Sequence, residues 1–434
     1  MSAAPSTSAS ASSAKTAPTS SGEPLLPVAQ RRLLGNYRPA PFVLDRGRGC
    51  EVFDTEGRRY LDFCAGVAVD ALGHAHPALA SAIAEQAGRL MHVSNYFYNA
   101  ENIRLADELC AVTGFDRAFF CNSGAEANEA VLKLARRHFY AKGQKEKFRF
   151  VAFHNSFHGR TMGSVALTGT PKYHEGFGPM VGGITHVAYG DVAAVKAAMG
   201  PDVAGIFVET VQGEGGVLPA PPGFLTEMRR LADEHGALLL ADEVQTGVGR
   251  TGKWLGMFHE GVRADVIALA KGLGGGFPIG AMLVREELAN ALPPGTHGST
   301  FGGNALASMA ARTVLRVIDE EKLVEGARIK GERLSKGLNE IAAKLPSVCK
   351  PERGLGLLRA LPLADGIDAR TVLTALQKRG LLLTIAGASA LRFTPPLVVS
   401  DAEIDEAIAM TTDVLADVAA SRAAGDPSRV GAAG

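Results

Sequence analysis

Short, continuously apolar runs alternate with stretches of helical periodicity along most of the chain. Residues 118–121 are apolar and lead into a segment from Ala125 to about Tyr140. There Ala127, Ala130, Val131, Leu134 and Ala135 recur at helical spacing. Further apolar runs occupy 150–153, 205–208, 238–241 and 266–270. Pro222 opens a second helical stretch with Leu225, Met228, Leu231 and Ala232 on one face, and Gly236 closes it. The runs do not alternate polar with apolar. Continuously apolar strands between helices predict an α/β fold whose mostly parallel sheet is covered on both faces. From about residue 311 the pattern turns helical, then gives strand-like runs between 380 and 391. This predicts a second, smaller α+β domain. The expected division is an N-terminal segment of the small domain at 23–75, a large domain at 76–312 and the rest of the small domain at 313–420.

The ends read differently. Residues 1–22 are Ser, Ala, Thr and Pro with a single charge at Lys15, too polar to repay the entropy of ordering. The segment is Ser-rich and acid-poor like a transit peptide but contains no Arg. Residues 421–434 are equally rich in small residues and read as a second tail. With 45 basic and 45 acidic residues the formal charge is zero, which argues against a nucleic-acid binder or an anionic-membrane partner. No apolar run is long enough to span a bilayer. Five widely spaced cysteines with no CxxC pair signal neither a zinc site nor a disulfide framework, as expected of a reducing, cytoplasmic setting. Glycine supplies 51 of 434 residues, well above the roughly 7% typical of globular chains, and it is clustered.

In open α/β sheets ligands bind beyond the carboxyl ends of the strands. After 118–121 comes Asn122-Ser123-Gly124-Ala125-Glu126. Ser123 and Glu126 have capping-box spacing, and the exposed amides of a helix N-terminus equally suit a phosphate. After 238–241 comes Asp242, either a turn former or the partner of a buried cation. After 266–270 comes Lys271, followed by Gly272-Leu273-Gly274-Gly275-Gly276. A lysine at the end of an apolar strand is unusual, and partial desolvation would make it a nucleophilic amine. The glycine run fails the dinucleotide pattern, and no P-loop, nucleophile elbow or HExxH is present. His74/His76 and His154/His158 have no acidic residue within either pair. No metal site is expected.

Taken together, these stretches resemble the class III pyridoxal-phosphate-dependent aminotransferases. The matching motifs are Leu72-Gly73-His74-Ala75-His76-Pro77, Asn122-Ser123-Gly124-Ala125-Glu126-Ala127-Asn128, Phe157-His158-Gly159-Arg160-Thr161, Val211-Gln212-Gly213-Glu214-Gly215-Gly216, Asp242-Glu243-Val244-Gln245-Thr246-Gly247, Ala270-Lys271-Gly272-Leu273, His297-Gly298-Ser299-Thr300-Phe301-Gly302-Gly303-Asn304 and Leu391-Arg392-Phe393-Thr394-Pro395-Pro396-Leu397. They occur in the family's order over about residues 30–415. The resemblance implies a fold-type-I transferase with a large seven-stranded sheet and pyridoxal 5′-phosphate as cofactor. It implies that Lys271 carries the cofactor and shuttles a proton. Asp242 would pair with the ring nitrogen, the Gly124 and Ala125 amides would hold the phosphate, and Phe157 would stack on the ring. Gln245 would touch the ring hydroxyl. Thr300 would reach the phosphate of a neighbouring subunit, so a homodimer with composite sites is implied. Arg160 would take a substrate carboxylate, Ser299 would lie near substrate, and Glu214 with Arg392 would form a switch pair serving two substrates in turn.

The implied reaction is ping-pong transfer of an ω-amine to 2-oxoglutarate, with N2-acetylornithine as the favoured donor. Ornithine, succinylornithine, succinyl-diaminopimelate and 4-aminobutyrate are the alternatives. Asp70, Thr210 and Ala305 depart from the family's usual Asn, Pro and Pro, and Val67 stands near a position where ornithine-specific members carry tyrosine.

Overall fold

The computed structural model describes residues 24–424. Both expected tails therefore lie outside the described residues, except that the last helix, Asp401–Ala424, continues past residue 420. The N-terminal part forms the strands β1 (Leu44–Arg48), β2 (Glu51–Asp54) and β3 (Arg59–Asp62). The large sheet takes β4 (Arg117–Cys121), β5 (Arg149–Phe153), β6 (Ile184–Val187) and β7 (Val203–Glu209). A small ribbon, β8 (Val211–Gln212) with β9 (Leu218–Pro219), follows. Then come β10 (Leu238–Asp242), β11 (Val266–Leu269) and β12 (Gly280–Val284). The remaining strands are β13 (Arg353–Leu355), β14 (Leu358–Pro362), β15 (Leu381–Leu382), β16 (Thr384–Ala386) and β17 (Ala390–Phe393).

The large sheet has seven strands in the order β4-β12-β11-β10-β7-β5-β6. Pairing is parallel from β11 to β6, whereas β12 runs antiparallel to both neighbours. Five of these strands coincide with the apolar runs of the sequence. Two were not expected. β6 carries Thr185 and His186 at its centre because it is a half-buried edge strand. β12 is fully buried but begins inside the glycine-rich stretch, which reads as loop. The run at 266–270 ends one residue early, since Ala270 leaves the strand at φ −166°, ψ −140° to set up a turn.

The central strands are buried along their length because helices cover both faces. The helix Gly124–Ala141 packs Ala127, Ala130, Val131, Leu134 and Ala135 into a core with Phe150, Phe207 and Leu240. On the other face Phe153, Ile206, Leu239 and Ile267 meet Leu225, Met228 and Leu231 of the helix Phe224–Glu234. At about 25 cal/mol per Å² of apolar surface, the alternation of faces along each strand puts nearly every side chain to use. The C-terminal part forms a four-stranded sheet, β13-β14-β17-β16. The N-terminal strands form a separate sheet, β1-β2-β3-β15, to which the C-terminal part contributes β15, paired in parallel with β3. The sequence pattern starts the helical region at 311, but the long helix begins earlier, at Ala305, with Asn304 accepting from the Ala307 amide. No described helix is long and apolar enough to cross a membrane, and all five cysteines are free thiols.

Candidate active site

The carboxyl ends of β4, β7, β10 and β11 open into one cleft of about 440 Å³. Lys271, Asp242, Gln245, Gly124, Ala125, Phe157 and Arg160 all line it.

Lys271 follows β11 on a tight turn and has φ 43°, a left-handed backbone that a lysine rarely adopts. Such strain persists where the surroundings over-determine the conformation. The surroundings here are β11 on one side and the Gly272–Gly276 turn on the other. Burial pushes the Lys271 amine below its ordinary range, with Glu214 opposing and Arg392 adding to the shift. The amine has no ion-pair or hydrogen-bond partner among the described residues. An unpaired, desolvated amine is the form in which a lysine acts as a nucleophile.

Asp242 ends β10 and is buried. Its Oδ2 accepts from His158 Nδ1 at 2.7 Å and from Asn128 Nδ2 at 2.8 Å, and its Oδ1 accepts from the Val244 amide at 2.9 Å. A carboxylate has about four acceptor positions, so one direction remains open to a donor in the cleft. Next to it in register stands Glu209, the last residue of β7. Its Oε2 accepts from the Phe157 amide at 3.2 Å. Burial, reinforced by the Asp242 charge, raises the Glu209 carboxyl well above the usual range.

At β4, Ser123 caps the helix Gly124–Ala141. Its Oγ accepts from the Glu126 amide at 3.2 Å, and Glu126 reaches back to the Asn122 amide at 2.8 Å. The Ser123 cap is therefore real, although Glu126 reaches the Asn122 amide rather than the Ser123 amide of a full capping box, and the Gly124 and Ala125 amides are left without an acceptor among the described residues. The cap leaves these two amides available to an anion. A Cβ on Gly124 would lie 2.7 Å from Val244 Cγ1, so no larger residue fits beside these amides.

Arg392 on β17 is buried and donates through Nε to Thr384 Oγ1 at 2.9 Å. Its NH1 donates to Glu214, to the Gly213 carbonyl at 3.2 Å and to Gln245 Oε1 at 3.3 Å. Burial works against ionising Glu214, but Arg392 and Lys271 outweigh it and hold the carboxyl below its usual range. Arg160 differs. It is exposed at the cleft and pairs with no carboxylate among the described residues. Its guanidinium lies 3.8 Å from the Tyr173 ring centroid. Ser299 touches the cleft through Asn122, whose Nδ2 donates to its Oγ at 3.2 Å. Thr300 is exposed and does not line this cleft.

The sequence reading missed Glu209, His158 and Asn128. The strand-end rule that found Asp242 applies equally to Glu209. His158 and Asn128 carry no local signal, because what matters is a contact across 84 and 114 residues. Thr210, where the family usually has Pro, donates to Glu243 Oε1 at 3.2 Å. Around Val67, four consecutive residues from Ala65 to Ala68 have positive φ, a strained arch leading to Val69 at the cleft wall. The paired histidines do not converge: His158 goes to Asp242 and His74 to Asp62, at 2.8 Å.

The loop carrying Ser299 is held by close approach. A Cβ on Gly302 would lie 2.0 Å from the Phe120 carbonyl oxygen. Replacing Gly302 with Ala is expected to cost about 1–3 kcal/mol, read as a lower thermal midpoint. Activity should fall further than stability, because the Ser299–Asn122 contact moves with the loop.

A ligand with a phosphate for two free amides, a basic nitrogen for a buried carboxylate and a carbonyl for an unpaired amine fits this cleft. These are the groups of pyridoxal phosphate. Fold and site together define a pyridoxal-phosphate-dependent transferase. The chain belongs to the class-III aminotransferases, whose family model matches residues 35–415, and pyridoxal phosphate is its cofactor. It is 49% identical over 387 residues to the acetylornithine aminotransferase of Myxococcus xanthus, covering 89% of this chain and 96% of that one. It is 46% identical over 370 residues to the succinylornithine transaminase of Salmonella enteritidis, covering 85% and 90%. Among solved structures it resembles the Toxoplasma gondii ornithine aminotransferase, in which pyridoxal phosphate partly occupies the active site. That match has a TM-score of 0.89 at 35% identity and covers 92% of this chain and 95% of that one.

Proposed function

We propose that this enzyme moves the ω-amine of N2-acetylornithine to 2-oxoglutarate, giving N-acetylglutamate 5-semialdehyde and glutamate. The observation that carries the reading is the unequal state of two arginines, Arg160 on the cleft wall and Arg392 behind it, joined to the cleft through Gln245. Arg160 is open, whereas Arg392 is buried and masked by Glu214. A donor with one carboxylate needs one guanidinium, and an acceptor with two needs both. Arg160 takes the α-carboxylate of the acylated amine in the geometry a guanidinium offers a carboxylate. Arg392 stays paired in that half-reaction, which avoids a buried unpaired cation. In the second half-reaction Glu214 swings out, Arg392 takes the α-carboxylate of 2-oxoglutarate, and Arg160 takes the other.

Bound pyridoxal phosphate supplies an electron sink for the pair left when the C–H bond beside the amine breaks. Lys271 moves the proton from that carbon. Asp242 keeps the proton on the ring nitrogen. The Gly124 and Ala125 amides bind the phosphate at a helix N-terminus, Phe157 covers the ring face, Gln245 meets the ring hydroxyl and Ser299 closes the side toward substrate.

The names of the relatives support an acylated ornithine, and Val67 in place of a tyrosine favours the acylated over the free amine. A kcat/KM panel with N2-acetylornithine, succinylornithine, ornithine and 4-aminobutyrate, each against 2-oxoglutarate, tests this. Preference for ornithine or 4-aminobutyrate would sink the reading, and preference for succinylornithine would change only the acyl group. The switch has its own test. Glu214→Ala should shift the ratio of glutamate to acetylornithine turnover on the order of tenfold to a hundredfold toward glutamate, the worth of one hydrogen bond to a charged group.

A homodimer with shared sites is part of the proposal. Met91, Tyr96, Phe97, Tyr98 and Phe301 are exposed apolar side chains. They flank the loop bearing Thr300, to which Asn95 donates at the Ser299 and Gly302 carbonyls. Exposed apolar side chains gathered at one loop suit an interface, and Thr300 would then serve the partner's cofactor phosphate. We assign the enzyme to the cytoplasm, in keeping with its free thiols. We place 23–75 and 313–420 in one small domain, in keeping with the β3–β15 pairing.

A further inference from the structure

Phe157 and Arg160 sit three residues apart on a segment without regular structure, so something else must hold them. One ring touches both. Tyr173 closes the one-turn helix Pro171–Tyr173. The Arg160 guanidinium lies 3.8 Å from its centroid, and the Phe157 ring meets it edge-on at 5.9 Å and 81°. The same guanidinium is 5.5 Å from the Phe157 centroid. The turn itself is tied down. The Tyr173 amide donates to the Thr170 carbonyl at 3.0 Å, and the next residue, His174, donates through Nε2 toward the Val165 and Thr168 carbonyls at 2.8 and 2.7 Å. The Tyr173 hydroxyl has no hydrogen-bond partner among the described residues, so the ring face is what this residue contributes.

We propose that Tyr173 is a positioning residue for carboxylate recognition: its face holds the Arg160 guanidinium in place. The proposal rests on the reading that Arg160 takes the α-carboxylate of the donor. An unanchored arginine loses side-chain freedom each time it pins a substrate carboxylate. One already stacked on an aromatic face has lost that freedom beforehand and still presents its N–H edge. Stacking does not compete with the carboxylate, because the first uses the face of the guanidinium and the second its edge. An ion pair would hold Arg160 equally well but would occupy the donors the substrate needs. Lys172 lies 5.1 Å from the same ring, so the ring gathers positive charge at this side of the cleft.

The test compares two amines in the first half-reaction, followed by cofactor absorbance. N2-acetylornithine carries the α-carboxylate. N-acetyl-1,4-diaminobutane has the same amine end and lacks it. Tyr173→Leu is expected to raise the half-saturating acetylornithine concentration about threefold to tenfold and to leave the maximal rate within about twofold. Tyr173→Phe, which keeps the ring, should stay close to wild type, and neither variant should change saturation by the diaminobutane. If Tyr173→Leu does not fold, phenylalanine with increasing ring fluorination at position 173 gives the same reading. The ring keeps its shape while its pull on a cation weakens, so half-saturation should climb stepwise.

Equal losses with both amines, a fall in maximal rate at unchanged half-saturation, or a flat fluorination series would overturn the proposal. Arg160→Gln separates the two readings. If it leaves acetylornithine saturation unchanged, the role of Arg160 itself is wrong. If it weakens saturation while the Tyr173 variants do not, only the positioning role is.

Discussion

Replacing Lys271 with Ala is expected to lower transamination by at least about 10⁴-fold, because on the proposed mechanism both the nucleophile and the proton carrier are lost. The amine lies at the end of a buried strand, holds a strained φ of 43° and has no partner among the described residues. None of those features serves stability, so the variant should fold and still take up pyridoxal phosphate through the Gly124 and Ala125 amides and Asp242. Borohydride treatment and peptide mapping give the direct check. Reduction should fix the cofactor to Lys271 in the wild type and to no residue in the variant. Attachment elsewhere in the wild type would remove Lys271 from the mechanism.

The same residue sets a pH dependence. Its native amine titrates below the ordinary 10.5, chiefly because burial disfavours the charged form. Capture of the cofactor needs the uncharged amine. The rate at which cofactor-free enzyme takes up pyridoxal phosphate should therefore rise with pH and level off at a midpoint below 10.5. The stability of the cofactor-free chain carries the same sign. Between the native and unfolded values the unfolded chain binds more protons, so this residue's contribution to stability rises with pH across that interval. A capture midpoint at or above the ordinary lysine value would mean that the Glu214 charge outweighs burial.

What the sequence reveals of this site follows from where the information is stored. Lys271 and Asp242 stand out because a charged residue closes a run of apolar ones, and the strand-end rule turns that break into a location. The rule also fits Glu209, which closes the fully buried β7 beside Asp242. The strands themselves are legible where both faces are covered, as in Val266–Leu269. They fade where one face or one edge is open: β6 reads as polar because half of it is. β12 fades for a different reason, its start being disguised by the glycines that let the backbone turn next to the cleft. Asn128 shows the other limit. It lies on the buried face of a helix whose apolar spacing is plain, yet its amide donates to Asp242 and to the His158 carbonyl at 2.8 Å each. Only packing the helix onto the sheet brings those groups together. Thr300 shows a third limit: on the proposed reading it serves another subunit, and such a role leaves no trace within its own chain.

Asp242→Asn is the substitution that separates shape from charge in this site. The amide is nearly isosteric, yet three donors converge on the native carboxylate, from His158, Asn128 and the Val244 amide. Asn offers one acceptor oxygen and one NH2 group. Whichever way it turns, the NH2 faces at least one donor, and the unmade hydrogen bond costs about 1–3 kcal/mol of stability. The functional loss should be larger. On the proposed role, a neutral amide would not hold a proton on the ring nitrogen, and the electron sink would weaken with it. A fall in kcat on the order of 10³-fold is expected, the scale of removing a preorganised charge at the reacting group. Cofactor content should drop less, because the phosphate amides are untouched. His158→Ala provides the internal comparison: it deletes one donor to Asp242 while leaving the charge, so it should cost far less in kcat than the amide does. If the two variants lose rate equally, the charge is not what Asp242 contributes. If Asp242→Asn stays within about tenfold of the wild type, the ring-nitrogen role passes to another group, and the acid beside it in register at the cleft is Glu209.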